Sequence, residues 1–159
     1  MAAGGWRGED LGVLAGRLLF AVQDELFSRL HGEGFDDIVP RHGVVLAYLR
    51  LDGIRATDLA RLSGQVKQVV GLIVDDLERL GYVERRPDPV DRRAKLIVPT
   101  TRGRAQMAAA DAIMADIMDR HARVLGKQEF RRFIANFREV VDHQRAMTSD
   151  DSGEGPNPR

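Results

Sequence analysis

The chain has 159 residues, 43% of them hydrophobic and 30% charged, with a formal net charge of +0 and no cysteine. That is globular composition at a length sufficient to bury a core, and the missing cysteine excludes disulfides, cysteine–zinc sites, catalytic thiols and thiol-based oxidation sensing. No run approaches about 18 apolar residues, so no membrane span is expected. The N-terminus has neither the basic start nor the apolar run of a signal peptide, and a cytoplasmic location is expected.

In chain order, Leu11, Leu14, Leu18, Val22, Leu26 and Leu30 recur at three- and four-residue steps. This predicts a long amphipathic helix from Glu9 to Leu30, ended by His31-Gly32-Glu33-Gly34. A second, mostly buried helix is expected from Pro40 to about Leu51, closed by the Asp52-Gly53 turn. A short third helix reads Ala56 to Leu62, with Thr57 as its cap, and breaks at Ser63-Gly64. The fourth runs from about Val66 to Leu80, burying Val70, Ile73, Val74 and Leu77, with Gly81 as its stop. Tyr82–Arg86 then alternates like a strand, and Lys95–Pro99 is its expected partner. The loop between them carries Pro87 and Pro89 and a charged tip. Thr100 or Thr101 caps a helix to about Leu125, and Gly126 breaks it. A last helix places Phe130, Phe133, Ile134, Phe137, Val140 and Val141 on one side. Polar Thr148–Arg159 is expected to be disordered.

The fold class expected is mainly α with a small β-hairpin wing: a winged helix-turn-helix with N- and C-terminal dimerisation helices. The corresponding organisation is a dimerisation helix (1–36), the winged module (37–100), two further dimerisation helices (101–147) and a disordered tail (148–159). Phe130, Phe133, Phe137 and Val140, with Leu11, Leu14 and Leu18 on the first helix, make apolar stripes too broad for one winged module. A symmetric homodimer would bury them and set two recognition helices about one DNA turn apart.

Although the net charge is zero, its distribution is uneven. Between Arg55 and Arg104 lie eleven Lys/Arg against seven Asp/Glu, and the remainder is correspondingly acidic. A basic middle fits a face that meets phosphates. An α-helix fits the major groove, and a hairpin loop reaches a neighbouring groove. On the fourth helix, Gln65, Lys67, Gln68, Val69 and Leu72 lie away from its core side. Gln68 suits paired hydrogen bonds to adenine, Lys67 a guanine or a phosphate, and Val69 a thymine methyl. Arg92 and Arg93 at the hairpin tip suit the negative potential of a narrow minor groove. The competing reading for the pair is a surface ion pair with Asp88 or Asp91. Arg85, with Arg86, Lys95, Arg102 and Arg104, is a candidate for phosphate contacts.

Thr57-Asp58-Leu59-Ala60, the run Lys67-Gln68-Val69-Val70 through Gly81-Tyr82-Val83-Glu84-Arg85, and Asp88-Pro89-Val90-Asp91-Arg92-Arg93-Ala94 followed by Thr101-Arg102-Gly103 resemble the multiple-antibiotic-resistance regulator (MarR) family. The Asp-Pro-x-Asp-Arg-Arg-Ala wing is the most specific element of the resemblance. It implies a dimeric transcription regulator, usually a repressor, often released from double-stranded DNA by a small-molecule effector. By the same resemblance Lys67 and Gln68 open the recognition helix, and Asp91 and Arg93 are the wing aspartate and minor-groove arginine. Effector sites of the family lie between the dimer helices and the winged domain, where Phe20, Gln23 and His42 are candidate lining residues. Two positions depart from the pattern. Val66 stands where relatives often place serine, leaving Ser63, Gln65 or nothing to cap the recognition helix, and Pro99 stands near a strand end without a donor N–H.

No catalytic residue, cofactor or metal site is expected. His31, His42, His121 and His143 show no ligand spacing, and no phosphate-binding glycine loop or nucleophile elbow is present. Asp75 and Asp76 point about 100° apart on a helix and cannot share a site. The remaining alternative is a winged helix that binds protein instead of DNA, since Asp75 places an acid on the groove face.

Overall fold

A computed structural model describes residues 9–150, excluding the side chains of the last two. The chain divides into two compact units, one up to Met114 and one from Ala115 onward.

In the first unit, α1 (Leu11–Gly32) starts where the Asp10 carboxylate accepts the Val13 N–H at 3.0 Å. The chain turns out of it through Gly34, whose φ is +94°. The expected helix from Pro40 to Leu51 is much shorter. A single 3-10 turn, Pro40–His42, leads into α2 (Gly43–Leu46). After it, the Tyr48 and Leu49 amides bond three residues back instead of four. That tightening turns Leu49 into the core and leaves Leu51 outside.

Strand β1 (Ile54–Arg55), α3 (Ala56–Ser63), α4 (Lys67–Arg79), β2 (Val83–Pro87) and β3 (Lys95–Pro99) complete the module. The residue before α3 is Arg55, in extended conformation, so Thr57 lies inside the helix and does not cap it. Gly64 at φ +69° makes the turn between α3 and α4. The sheet has three antiparallel strands in the order β1-β3-β2. The hairpin pairs Val83 with Pro99 and Pro87 with Lys95, and β1 adds Ile54 opposite Ile97 on the other edge of β3. Leu59, Val70, Val74, Leu77, Tyr82, Val83, Ile97 and Val98 fill the space between helices and sheet. Complete burial of side chains this size supplies the main drive for the module to fold.

The second hairpin end leads into α5 (Thr101–Leu125), which starts in the first unit and continues into the second. Thr100 is its cap, the hydroxyl accepting the Gly103 N–H at 3.1 Å. A Cβ on Gly103 would stand 2.0 Å from the Tyr82 carbonyl oxygen, so this helix approaches the backbone just before β2 more closely than any side chain allows. In the second unit, Gly126 at φ +87° separates α5 from α6 (Lys127–Asp150). The Phe130, Phe133 and Phe137 rings follow one another at 6.3 and 5.8 Å, with Phe130 buried and Phe133 exposed. The helix continues to Asp150, so residues 148–150 of the expected disordered tail are helical. Residues 151–159 of that tail, like 1–8, lie outside the described residues.

Candidate nucleic-acid interface

Gln65, just before α4, and Lys67, Gln68, Val69 and Leu72 in its first two turns are exposed to solvent. Val66, itself 66% exposed, occupies the N-cap without any side-chain hydrogen bond to the helix. Ser63 does not reach the helix: its hydroxyl donates to the Leu59 carbonyl at 2.7 Å and accepts the Gln65 N–H. Backbone N–H groups at the start of α4 therefore stay uncapped by side chains, and no acid stands in the first turn. An uncapped N-terminus of this kind suits a phosphate.

The far end of α4 is held by charge. Asp76 accepts from Arg41, from His42 Nε2 at 2.9 Å and from Arg79 at 2.6 Å. The hydrogen bonds from His42 and Arg79 hold its carboxyl well below the ordinary carboxylate range. Asp75 and Glu78 share the Arg85 guanidinium, which is 2.5 Å from Asp75. Arg85 is thus ion-paired within the module, and Asp75, still exposed on α4, is one of the two acids that share it. Arg102 is similarly occupied, donating to the Leu80 carbonyl at 2.7 Å, pairing with Asp37 at 3.0 Å and lying 4.3 Å over the Tyr82 ring.

Two aspartates hold the wing tip in shape. Asp88, only 4% exposed, accepts the Val90 N–H at 2.8 Å and the Asp91 N–H at 3.3 Å. Its other oxygen takes Arg55 Nε at 2.7 Å. The Val90 amide first, and then Arg55, lower the Asp88 pKa. Asp91 contributes one bond, from the Arg93 N–H at 3.1 Å. Neither Arg92 nor Arg93 forms an ion pair with Asp88 or Asp91; both side chains are exposed at the tip. Proline-bounded sequence signals the loop, but nothing in it singles out Arg55 as the partner that fixes its shape.

Of Phe20, Gln23 and His42, Gln23 alone is in the wall of the cavity described next. A cavity of about 470 Å³ opens beside α1, α2 and the first half of α5, and Gln23 is in its wall. Phe20 is not, being 66% exposed on α1. His42 is not either: it is buried, its Nδ1 accepts the Val39 N–H at 3.1 Å, and its Nε2 faces Asp76. Its neighbour Gly43 reaches the cavity instead. Among the described residues no group of three or more His, Asp or Glu is placed to hold a metal, and no helix is long and apolar enough to cross a membrane.

Residues 37–94 match the model of the MarR family. No curated protein matches the chain. The fold is that of solved winged-helix regulators. The transcriptional repressor CouR, bound to a 23-mer DNA duplex, aligns at 24% identity and TM-score 0.67 over 89% of this chain and 99% of its own. CouR from Rhodococcus jostii RHA1 bound to p-coumaroyl-CoA aligns at 24% identity and TM-score 0.64, over 98% of this chain and 100% of its own. The PcaV transcriptional regulator from Streptomyces coelicolor, in complex with its natural ligand, aligns at 22% identity and TM-score 0.67, over 89% and 98%.

Proposed function

From the premise that residues 37–94 form a MarR-family winged-helix domain, we propose that the chain is a sequence-specific DNA-binding transcriptional regulator, a repressor that binds a pseudo-palindromic operator as a homodimer. One observation carries the reading. The exposed, uncapped start of α4 and the exposed Arg92 and Arg93 of a braced wing belong to one small module, while Arg41, Arg55, Arg79 and Arg85 of the same module are each paired with an acid. Gln65, Lys67, Gln68, Val69 and Leu72 meet base edges and phosphates in the major groove. Arg92 and Arg93, with Asp91 shaping the tip, meet the minor groove beside it. Arg85 acts indirectly, by holding α4 to the hairpin.

Dimerisation rests on the apolar surface left on the terminal helices, including Leu11, Leu14 and Leu18 on α1 and Phe133 and Val140 on α6. Effector response rests on the cavity beside α2. A molecule that shifts Gly43, Leu46 and Ala47 pulls on His42, which bonds directly to Asp76 of the recognition helix. The protein-binding alternative rests on Asp75 as an acid on the groove face, and its pairing with Arg85 weakens that support.

Fluorescence anisotropy with the DNA upstream of the protein's own transcription unit tests the reading. Saturable binding that unlabelled random duplex does not compete at equal concentration is expected. Binding no tighter to this DNA than to random sequence would remove the operator.

A further inference from the structure

Three aliphatic side chains stand in water at the start of α4. Val66 at the N-cap and Leu72 in the second turn are 66% and 65% exposed, and Val69 between them is 37% exposed. The core side of the same helix is complete without them, in Val70, Ile73, Val74 and Leu77. Three exposed aliphatic groups within two turns are a surface that gains from being covered. Its surroundings narrow the choice of cover. Lys67 and Gln68 are exposed beside it, no acid stands in the first turn, and the N-terminal N–H groups have no side-chain cap. This setting favours a polyanion over an apolar protein surface.

We propose that Val66, Val69 and Leu72 cover thymine 5-methyl groups, so that the operator half-site is selected by its methyls as much as by hydrogen bonds. The proposal rests on the reading of α4 as the recognition helix. In the major groove the thymine methyl is the apolar group that a base pair presents, while the other edge atoms are hydrogen-bond donors and acceptors. An aliphatic side chain laid on cytosine N4 or guanine O6 strips it of water and returns no bond. Against a methyl, the same side chain buries apolar surface on both partners. Val69 and Leu72 are separated by about 4.5 Å along the helix and about 60° around it. That rise is close to the base-pair spacing of about 3.4 Å, so the two side chains address neighbouring base pairs.

The test uses the full-length protein and the DNA upstream of its own transcription unit, made once with thymine and once with uracil at every thymine position. Uracil lacks the 5-methyl and keeps the same base pairing. Anisotropy at one salt concentration should show specific binding at least about tenfold weaker on the uracil duplex, each buried methyl being worth about fourfold. Leu72→Ala and Val69→Ala, both at exposed positions, should bind thymine DNA more weakly than the parent and lose less on the change to uracil. At a thymine that contributes, cytosine should bind weakly and 5-methylcytosine should recover part of the loss. Equal specific binding to thymine and uracil DNA overturns the methyl reading and leaves the operator reading standing. A uracil loss of the same size in the parent and both variants overturns the assignment to these side chains and places the effect in DNA shape. Binding no tighter to the upstream DNA than to random duplex removes the operator, and this proposal with it, and turns the aliphatic surface toward a protein partner.

Discussion

Arg55 and Asp88, 33 residues apart in sequence, meet where β1 runs beside the wing, Arg55 Nε donating to the Asp88 carboxylate at 2.7 Å. The same carboxylate holds the Val90 and Asp91 amides, so one buried acid sets the shape of the loop that carries Arg92 and Arg93. Asp88→Ala should therefore keep the helical circular dichroism of the parent but bind operator more weakly. Combined with Arg93→Ala it should cost less than the sum of the two single losses, since both act on one loop. Strictly additive losses in anisotropy would separate the brace from the arginine. The pH sign is fixed by the lowered Asp88 pKa. Its contribution is complete above the ordinary value of 3.8 and disappears as pH falls through the lower folded value, so the wing should hold unchanged through neutral pH and loosen only in acid.

Arg93 and Gln68 should fail differently. Arg93→Ala should lose affinity mainly on operators with A·T-rich flanks, because minor-groove width is what an inserted arginine reads. Gln68→Ala should relax the choice of base within the half-site at about 1–3 kcal/mol per lost base contact. Binding measured on flank and half-site variants at one salt concentration distinguishes them. An Arg93→Ala protein that binds all flanks as the parent does would show that the wing does not touch DNA.

Phe133 stands 43% exposed in line with two other rings. Sedimentation at micromolar concentration should give about twice the 17.7 kDa chain mass for the parent. Phe133→Asp should shift that mass toward a single chain and weaken DNA binding, because each half-site alone is held weakly. A parent that sediments as one chain would contradict the dimer.

Tyr82 is fully buried and donates to Asp37 at 2.5 Å. Burial, then this bond, pushes its phenol above the ordinary 10.0. A raised folded pKa means that its stabilisation is complete below about pH 10 and is lost as pH climbs through the folded value. Tyr82→Phe should cost about 1–3 kcal/mol at neutral pH, by removing a bond to a charged group. It should also lose less stability than the parent on going to strongly alkaline solution. Denaturant unfolding at neutral and alkaline pH reads both effects, and parallel pH curves for the two proteins would discount the phenol.

The long elements were legible in the sequence because periodicity and glycine act locally: the leucine spacing of α1, the buried face of α4, and breaks at Gly64, Gly81 and Gly126. Strand β1 was not, since two residues carry no alternation to detect, and its existence depends on pairing with β3 more than 40 residues later. The arginines were the least legible part of the site. Arg85 and Arg93 look alike in sequence, yet one is consumed by Asp75 and Glu78 and the other is exposed, a difference set by which helix folds across which strand.

The two halves of α4 are under different obligations. Its last two turns are fastened through Asp75, Asp76 and Glu78 to Arg85, Arg41 and His42, whereas the side chains of Gln65, Lys67, Gln68 and Val69 are exposed at its start. Substitutions at those four exposed positions should therefore change what the start of α4 contacts at little cost to stability. The same separation makes those positions a sound place for a combinatorial library, with the anchored end as the constant handle.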